Sequence, residues 1–90
     1  MATLSYSNLW SFEASVSAAV TVSAPWNSRK IAITNDSSLT PVSISFHTTS
    51  TSKITLLPTE SLSLEFVTNK FVINTVAAAG AAGIRVWMWG

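Results

Sequence analysis

Cysteine is absent from the 90-residue chain, which removes both a disulfide framework and a thiolate metal site. Charge is scarce as well: charged residues make up 10% of the sequence and the formal net charge is +1, whereas roughly a quarter of an average soluble domain is charged. Serine and threonine fill the polar positions instead. We therefore expect a hydroxyl-rich, nearly neutral surface that gives little protection against association, as suits a protein that works inside an assembly.

Basic stripes and long hydrophobic runs are also missing. The five lysine and arginine residues are scattered along the chain, a distribution that argues against a nucleic-acid partner. The longest uncharged apolar run, residues 76–84, is mostly alanine and glycine and reaches about half the length of a bilayer span. The first ten residues lack the basic and apolar segments of a secretory signal. We predict no membrane partner and no transmembrane helix.

No residue set supports catalysis or metal binding. His47 is the only histidine, and the acidic residues are Glu13, Asp36, Glu60 and Glu65. A single histidine excludes a multi-histidine zinc or iron site. The abundant serines are not framed by the G-x-S-x-G pattern of a hydrolase nucleophile. We predict a protein that is not an enzyme and has no catalytic residues, metal or cofactor.

The dominant sequence period is two. In PVSISFH, Val42, Ile44 and Phe46 fall on one face of a strand, and Ser43, Ser45 and His47 fall on the other. Five further runs alternate in the same way, with varying strictness: AAVTVS, RKIAIT, KITLL, SLSLEF and KFVINTV. The pattern predicts an all-β fold over residues 1–90, a single antiparallel β-sandwich or small barrel of jelly-roll or immunoglobulin-like type with seven or eight short strands.

Turn signals separate these runs at nearly regular intervals: APWNS, TNDSSLTP, TTSTS, LPTES and VTNK. A helix is the weaker alternative for residues 11–19. The small-residue segment VAAAGAAG, residues 76–83, reads mainly as a loop before the last strand. Close approach between chains near a symmetry axis is its second interpretation.

The chain closes on GIRVWMWG, residues 83–90. In a strand, Ile84, Val86 and Met88 lie on one face, while Arg85, Trp87 and Trp89 lie on the other. Both faces are largely apolar, so either the tryptophans fill the core or they bind a partner. Each alternative leaves an apolar face to be covered, and we therefore expect oligomerisation or docking.

The whole chain resembles small structural proteins of tailed bacteriophages, namely capsid decoration or cement proteins and short head-fibre proteins. The resemblance rests on RKIAITN before a turn and PVSISF, on LPTESLSLEF, and on the closing IRVWMWG. Many such proteins carry proline-glycine-glutamate before the LPTESLSLEF strand, where this chain has Pro58, Thr59 and Glu60.

The resemblance implies a non-enzymatic virion protein that is made in the host cytoplasm and sits on the outer capsid surface. Such a protein, often a homotrimer, would bind the major capsid protein and hold neighbouring subunits together. We expect Trp87, Trp89 and Arg85 to make the subunit contacts, with Trp26 and Trp10 as second choices because an exposed ring in the APWNS turn would be a docking anchor. The alternative is a carbohydrate-binding β-sandwich of a fibre or host-attachment tip whose exposed tryptophans bind glycan.

Overall fold

The computed structural model describes residues 8–46, 53–76 and 81–90. These residues form six strands: β1 (Leu9–Val16), β2 (Val20–Asn35), β3 (Val42–Ser45), β4 (Ile54–Leu56), β5 (Ser61–Thr75) and β6 (Ala82–Trp89). They join one antiparallel sheet in the spatial order β1, β6, β2, β5, β3, β4. The prediction of an all-β antiparallel fold is confirmed. Within the described ranges there are six strands, fewer than the predicted seven or eight.

Strand β1 occupies most of the segment where a helix was the weaker alternative. Phe12 and Val16 turn toward the core, while Ser11 and Glu13 are exposed, so the side chains follow the period of a strand. The register with β6 is continuous along the whole strand. Cross-strand pairing therefore outweighs the local helical propensity of this segment.

Strand β2 runs from Val20, within AAVTVS, through RKIAIT, so the turn predicted at APWNS, residues 24–28, is wrong. The register between β2 and β5 shifts between Ser23 and Ser28, and such a bulge accommodates the missing backbone donor of Pro25. The buried Ser28 donates its hydroxyl to the backbone oxygen of Thr68 at 2.8 Å. Proline and asparagine here mark an irregularity inside a strand.

Strand β5 likewise joins SLSLEF to KFVINTV through residues 67–70, so the turn predicted at VTNK is wrong for the same reason. The Thr68 hydroxyl donates to the Lys70 backbone oxygen at 2.9 Å and accepts from the Lys70 backbone nitrogen at 3.2 Å. These local hydrogen bonds replace ladder bonds at the bulge without reversing the chain. Two long strands thus take the place of four predicted short ones.

The remaining turn predictions differ in outcome. The TNDSSLTP and LPTES segments do connect strands, since β2 ends at Asn35 and β5 begins at Ser61. TTSTS, His47 and residues 77–80 of the small-residue segment lie outside the described residues. Within the described residues, no helix is long and apolar enough to cross a membrane.

The hydrophobic core lies on one face of the sheet, which we call the inner face. Its buried side chains come from all six strands and form one cluster: Val16, Val22, Ala24, Ile31, Ile33, Val42, Ile44, Leu56, Phe71, Ile73, Ala82, Ile84, Val86 and Met88. Phe46 and Phe66 extend it at one end, with ring centroids 4.9 Å apart, and Phe46 also contacts Phe71 at 5.4 Å. Burial of this apolar area is the main favourable contribution to folding.

A buried asparagine anchors the loop that follows β2. The side-chain nitrogen of Asn35 donates to the backbone oxygens of Thr40 and Leu56, at 2.9 and 3.2 Å, and its side-chain oxygen accepts from the backbone nitrogen of Ser37 at 3.0 Å. Asn35 is fully buried, so removing its amide would leave buried carbonyl groups without a donor. This network fixes residues 36–40 against β4.

The segment between β4 and β5 is a tight turn. The Glu60 backbone nitrogen donates to the Leu57 backbone oxygen at 3.0 Å, and Thr59 has a positive φ of 65°. Pro58 followed by a residue with positive φ defines a type II turn, which favours glycine at its third position. A β-branched residue is strained in this conformation.

We predict that Thr59→Gly stabilises the protein. Relief of the left-handed strain, about 1–2 kcal/mol, exceeds the extra unfolded-state entropy of glycine, about 0.5–1 kcal/mol. The thermal midpoint should therefore rise by roughly 3–6 °C for a domain of this size. Thr59→Ala is the control, because alanine keeps the Cβ and with it the strain. Equal midpoints for the two variants would contradict this assignment.

Candidate functional site: the outer face of the sheet

Strands β1, β6, β2 and β5 present a second face that points away from the core, which we call the outer face. Cross-strand register aligns its side chains in three rows, each read from β1 to β5: Leu9, Trp89, Lys30, Glu65; Ser11, Trp87, Ala32, Ser63; and Glu13, Arg85, Thr34, Ser61. Because β6 is an interior strand, its two tryptophans and its arginine lie near the middle of this face.

The alternation predicted for GIRVWMWG is confirmed. Ile84, Val86 and Met88 are buried in the core, whereas Trp87 and Trp89 are half-buried on the opposite face. Of the two interpretations of the tryptophans, filling the core is therefore wrong. The core already has its own side chains on β6, and a strand cannot direct neighbouring residues to the same face.

Trp87 has small neighbours on both adjacent strands. Ser11 of β1 and Ala32 of β2 lie directly opposite it, and neither side chain is long enough to cover an indole. The ring therefore keeps accessible area although its strand is enclosed on both sides. A large, rigid side chain of this kind loses little conformational entropy when it binds a partner.

Arg85 is held in place by an acidic partner from the loop after β2. Its Nε and one terminal nitrogen donate to the two carboxylate oxygens of Asp36, at 2.7 and 2.9 Å. The Asp36 backbone nitrogen in turn donates to the Gly83 backbone oxygen at 2.8 Å. The same guanidinium lies over the Trp87 ring, with Cζ 5.3 Å from the ring centroid, a cation–π arrangement. A two-pronged ion pair thus orients a cation against an indole.

The ion pair shifts the ionisation of both partners. The hydrogen bond from Arg85, with its charge, lowers the pKa of Asp36 below the ordinary value of 3.8, although desolvation acts in the opposite direction. The hydrogen bond and charge of Asp36 raise the pKa of Arg85, and the nearby Glu13 carboxylate adds to that rise. The Arg85 and Asp36 side chains are 44% and 40% exposed, so solvent screens much of their attraction.

A second cation lies beside the other tryptophan. The Lys30 ammonium of β2 lies 5.7 Å from the centroid of the Trp89 ring, and the two residues are cross-strand partners. Farther along the face, the hydroxyl oxygens of Thr34 and Ser61 are 3.0 Å apart. The outer face therefore combines two indoles, two cations and a rim of hydroxyl groups.

An open groove of about 370 Å³ lies at the Arg85 end of β6. Arg85 and Gly83 of β6, Glu13 and Ser15 of β1, and the loop residue Asp36 line it. Carboxylates and a guanidinium here offer both hydrogen-bond acceptors and donors to a ligand. The groove is thus the polar end of a surface whose other end is aromatic.

The two second-choice tryptophans do not join this surface. Trp26 is half-buried and belongs to β2, so the expectation that it lies in a turn is wrong. A Cβ on Gly90 would lie 2.7 Å from two carbon atoms of the Trp26 ring, so the indole packs directly on the Gly90 backbone. Trp10 lies on the inner side of β1, where it stacks on Phe12 at 5.9 Å and packs against the core.

Sequence reasoning missed Glu13, Asp36 and Lys30 as members of this surface. Alternation was the available signal for two of them, because it places Glu13 on the face opposite Phe12 in β1 and Lys30 on the face opposite Ile31 in RKIAIT. The meeting of Asp36 with Arg85 spans 49 positions of sequence, and no local pattern reports it. Within residues 8–46, 53–76 and 81–90, no group of three histidine, cysteine or acidic residues is placed to hold a metal ion.

Comparison with known protein families gave no match, and a search of curated proteins gave no significant match either.

We predict that the Asp36–Arg85 pair makes stability depend on pH. Because the folded-state pKa of Asp36 is lowered, the pair stabilises the fold above the unfolded-state pKa and is lost as pH falls through the folded-state value. In urea titrations, wild type should exceed Asp36→Asn in stability at about pH 6, and the difference should shrink toward about pH 2.

Arg85→Gln serves as the matched variant, because it removes the same pair from the other side. Arg85→Gln should lose the same pH-dependent part of the stability. Adding Asp36→Asn to Arg85→Gln should not change the stability further. A stability difference between wild type and Asp36→Asn that stays constant from neutral to acidic pH would contradict the assignment.

Proposed function

We propose that the chain is a non-enzymatic structural protein of a tailed-bacteriophage virion, a decoration or cement protein that binds the outer capsid surface. The outer face of the sheet carries this proposal: Trp87, Trp89 and Arg85 lie together on a face that the core does not use. Tryptophan and arginine are the residue types most enriched at binding hot spots. A partner that covers this face would remove two indoles from water.

The composition supports a life within an assembly. With charged residues at 10% of the sequence, the surface has little long-range repulsion to prevent contact with neighbouring subunits. The resemblance to phage structural proteins supplies the partner, the major capsid protein. Many copies bound to one particle would gain stability from the repetition of modest contacts.

We also propose that the single sheet folds over on its inner face as a β-sandwich. Strands β1 and β5 are separated by two strands in the sheet order, yet residues of the two approach within 8 Å between Cα atoms. In a flat sheet, strands three positions apart would lie about 14 Å apart. Curling of the sheet brings them closer and encloses the core.

The direct test is binding to capsid shells assembled from the major capsid protein of the same phage. Trp87→Ala combined with Trp89→Ala should weaken binding at least about tenfold, because two hot-spot side chains are removed. Occupancy is measured by co-sedimentation. Leu39→Ala with Leu57→Ala is the matched control, since both side chains are exposed in connections outside the strands. Full occupancy by a folded Trp87/Trp89 variant would contradict the proposal.

Glycan binding is the second candidate, and it is favoured by the groove lined by Arg85, whose guanidinium also lies over the Trp87 ring. Sugar rings stack on indoles, while their hydroxyl groups bind side chains of the kind that Glu13, Asp36 and Arg85 place there.

For this candidate we predict retention on a glycan array that Glu13→Gln weakens and Trp87→Ala abolishes. Glu13→Gln removes a charged hydrogen-bond acceptor, and Trp87→Ala removes the stacking surface. The matched control is Glu65→Gln, an outer-face carboxylate away from the groove. Absence of wild-type retention on every glycan, or equal loss with Glu65→Gln, would exclude this function for the groove.

A further inference from the structure

Strand β1 forms one edge of the sheet, and its outward backbone groups can be identified. Asn8 and Gly90 exchange both backbone hydrogen bonds, at 2.9 and 3.0 Å, so even-numbered residues of β1 bond to β6. The odd-numbered residues Leu9, Ser11, Glu13 and Ser15 therefore direct their N–H and C=O groups away from β6. Within the described ranges, β1 has no second partner strand.

The eight residues of β1 include few of the features that usually protect an edge strand against strand addition. Edge strands are commonly blunted by proline, lysine, a bulge or an inward-pointing charge. β1 has the sequence LWSFEASV and an unbroken register with β6. Its one charged side chain, Glu13, points to the outer face near Arg85. Neither a bulge nor a proline interrupts the row of backbone donors and acceptors along β1.

The inner side of the same edge exposes aromatic surface. Trp10 and Phe12 pack against the core yet remain half-buried, and their rings are stacked with an interplanar angle of 14°. A strand added beside β1 would place its own inner side chains against them. The edge therefore offers hydrogen bonds and apolar contact to the same incoming strand.

We propose that β1 pairs in antiparallel orientation with β1 of a second copy, around a two-fold axis that passes beside Phe12. The outward N–H and C=O groups of β1 belong to odd-numbered residues. Each odd-numbered residue of one copy must therefore pair with an odd-numbered residue of the second copy. Pairing residues 9–15 of both copies then places Phe12 opposite Phe12 of the second copy. Trp10 falls opposite Ala14, a large side chain against a small one.

Charge selects this register over its neighbours. In the proposed pairing, Glu13 faces Ser11 of the second copy. A shift of two residues in one direction sets Glu13 directly against Glu13 of the second copy, where like charges repel. The opposite shift pairs only residues 9–13 and leaves part of the strand without a partner.

The pairing is independent of the proposed capsid function, but it affects how the outer face is presented. A two-fold axis perpendicular to the sheet keeps both outer faces on the same side. The dimer would display two sets of Trp87 and Trp89 on one continuous sheet, which favours bivalent binding. The proposed assembly is a dimer, in contrast to the homotrimer that the resemblance implies.

Sedimentation equilibrium of three chains tests the register. Wild type should be a dimer, and Ser11→Glu should raise the dissociation constant by roughly five- to thirtyfold, because it sets two carboxylates face to face twice per dimer. The exchange variant Ser11→Glu with Glu13→Ser restores a carboxylate opposite a serine, and it should dimerise within about threefold of wild type. Trp87→Ala with Trp89→Ala should leave this dimer unchanged.

Cysteine cross-linking gives a second readout that does not depend on Ser11. The chain has no cysteine of its own, so a single introduced thiol can form a disulfide only between copies. Phe12→Cys should cross-link, because this residue faces itself in a closely spaced pair, whereas Ala14→Cys, opposite Trp10, should not.

A wild-type monomer, a wild-type trimer, or equal cross-linking of the two cysteine variants would overturn the proposal. The proposal would also be overturned by an exchange variant that dissociates as readily as Ser11→Glu although circular dichroism shows it to be folded. If only the Trp87/Trp89 variant dissociates, association belongs to the outer face and the edge is not the contact. Loss of capsid binding with an intact dimer would leave the edge proposal standing.

Discussion

The pairing of the two long strands β2 and β5 is the constraint on which the rest of the fold depends. β6 and then β1 extend the sheet from the last residues of β2, while β3 and then β4 extend it from the last residues of β5. Both strands change register at the same place, where the Ser28 hydroxyl bonds to the Thr68 backbone oxygen. The matched bulges let each strand take part in both halves of the sheet while its apolar residues stay on the inner face.

The candidate site is a consequence of this arrangement. The buried amide of Asn35 ends β2 and fixes the following loop, which places Asp36 beside β6. Asp36 then holds Arg85, and Arg85 lies over Trp87. A buried hydrogen-bond network is thus connected, through one exposed ion pair, to the orientation of an aromatic ring on the surface. Such coupling explains how a small sheet with few charges can present an ordered aromatic surface.

The outer face and the β1 edge have different physical characters. The outer face offers indole rings, cations and hydroxyl groups, which suit a folded surface or a sugar ring. The edge offers a row of backbone groups flanked by the half-buried Trp10 and Phe12, which suits another strand. Because the two surfaces meet along β1 at right angles to each other, both can be occupied at once. A low-charge chain of this kind is suited to repeated association.

The sequence by itself determined the all-β class and which residues share a face. The alternation in PVSISF and GIRVWMWG correctly separates core residues such as Ile44 and Val86 from Ser43 and Trp87, because side-chain direction in a strand is a local property of the backbone. Tertiary structure alone decided that APWNS and VTNK are bulges, since the residues that favour turns also favour irregular strand positions. It also decided which tryptophans share a surface and that Asp36 meets Arg85. Those outcomes depend on strand pairing between distant segments, and hydrophobic periodicity carries no information about which strands become neighbours.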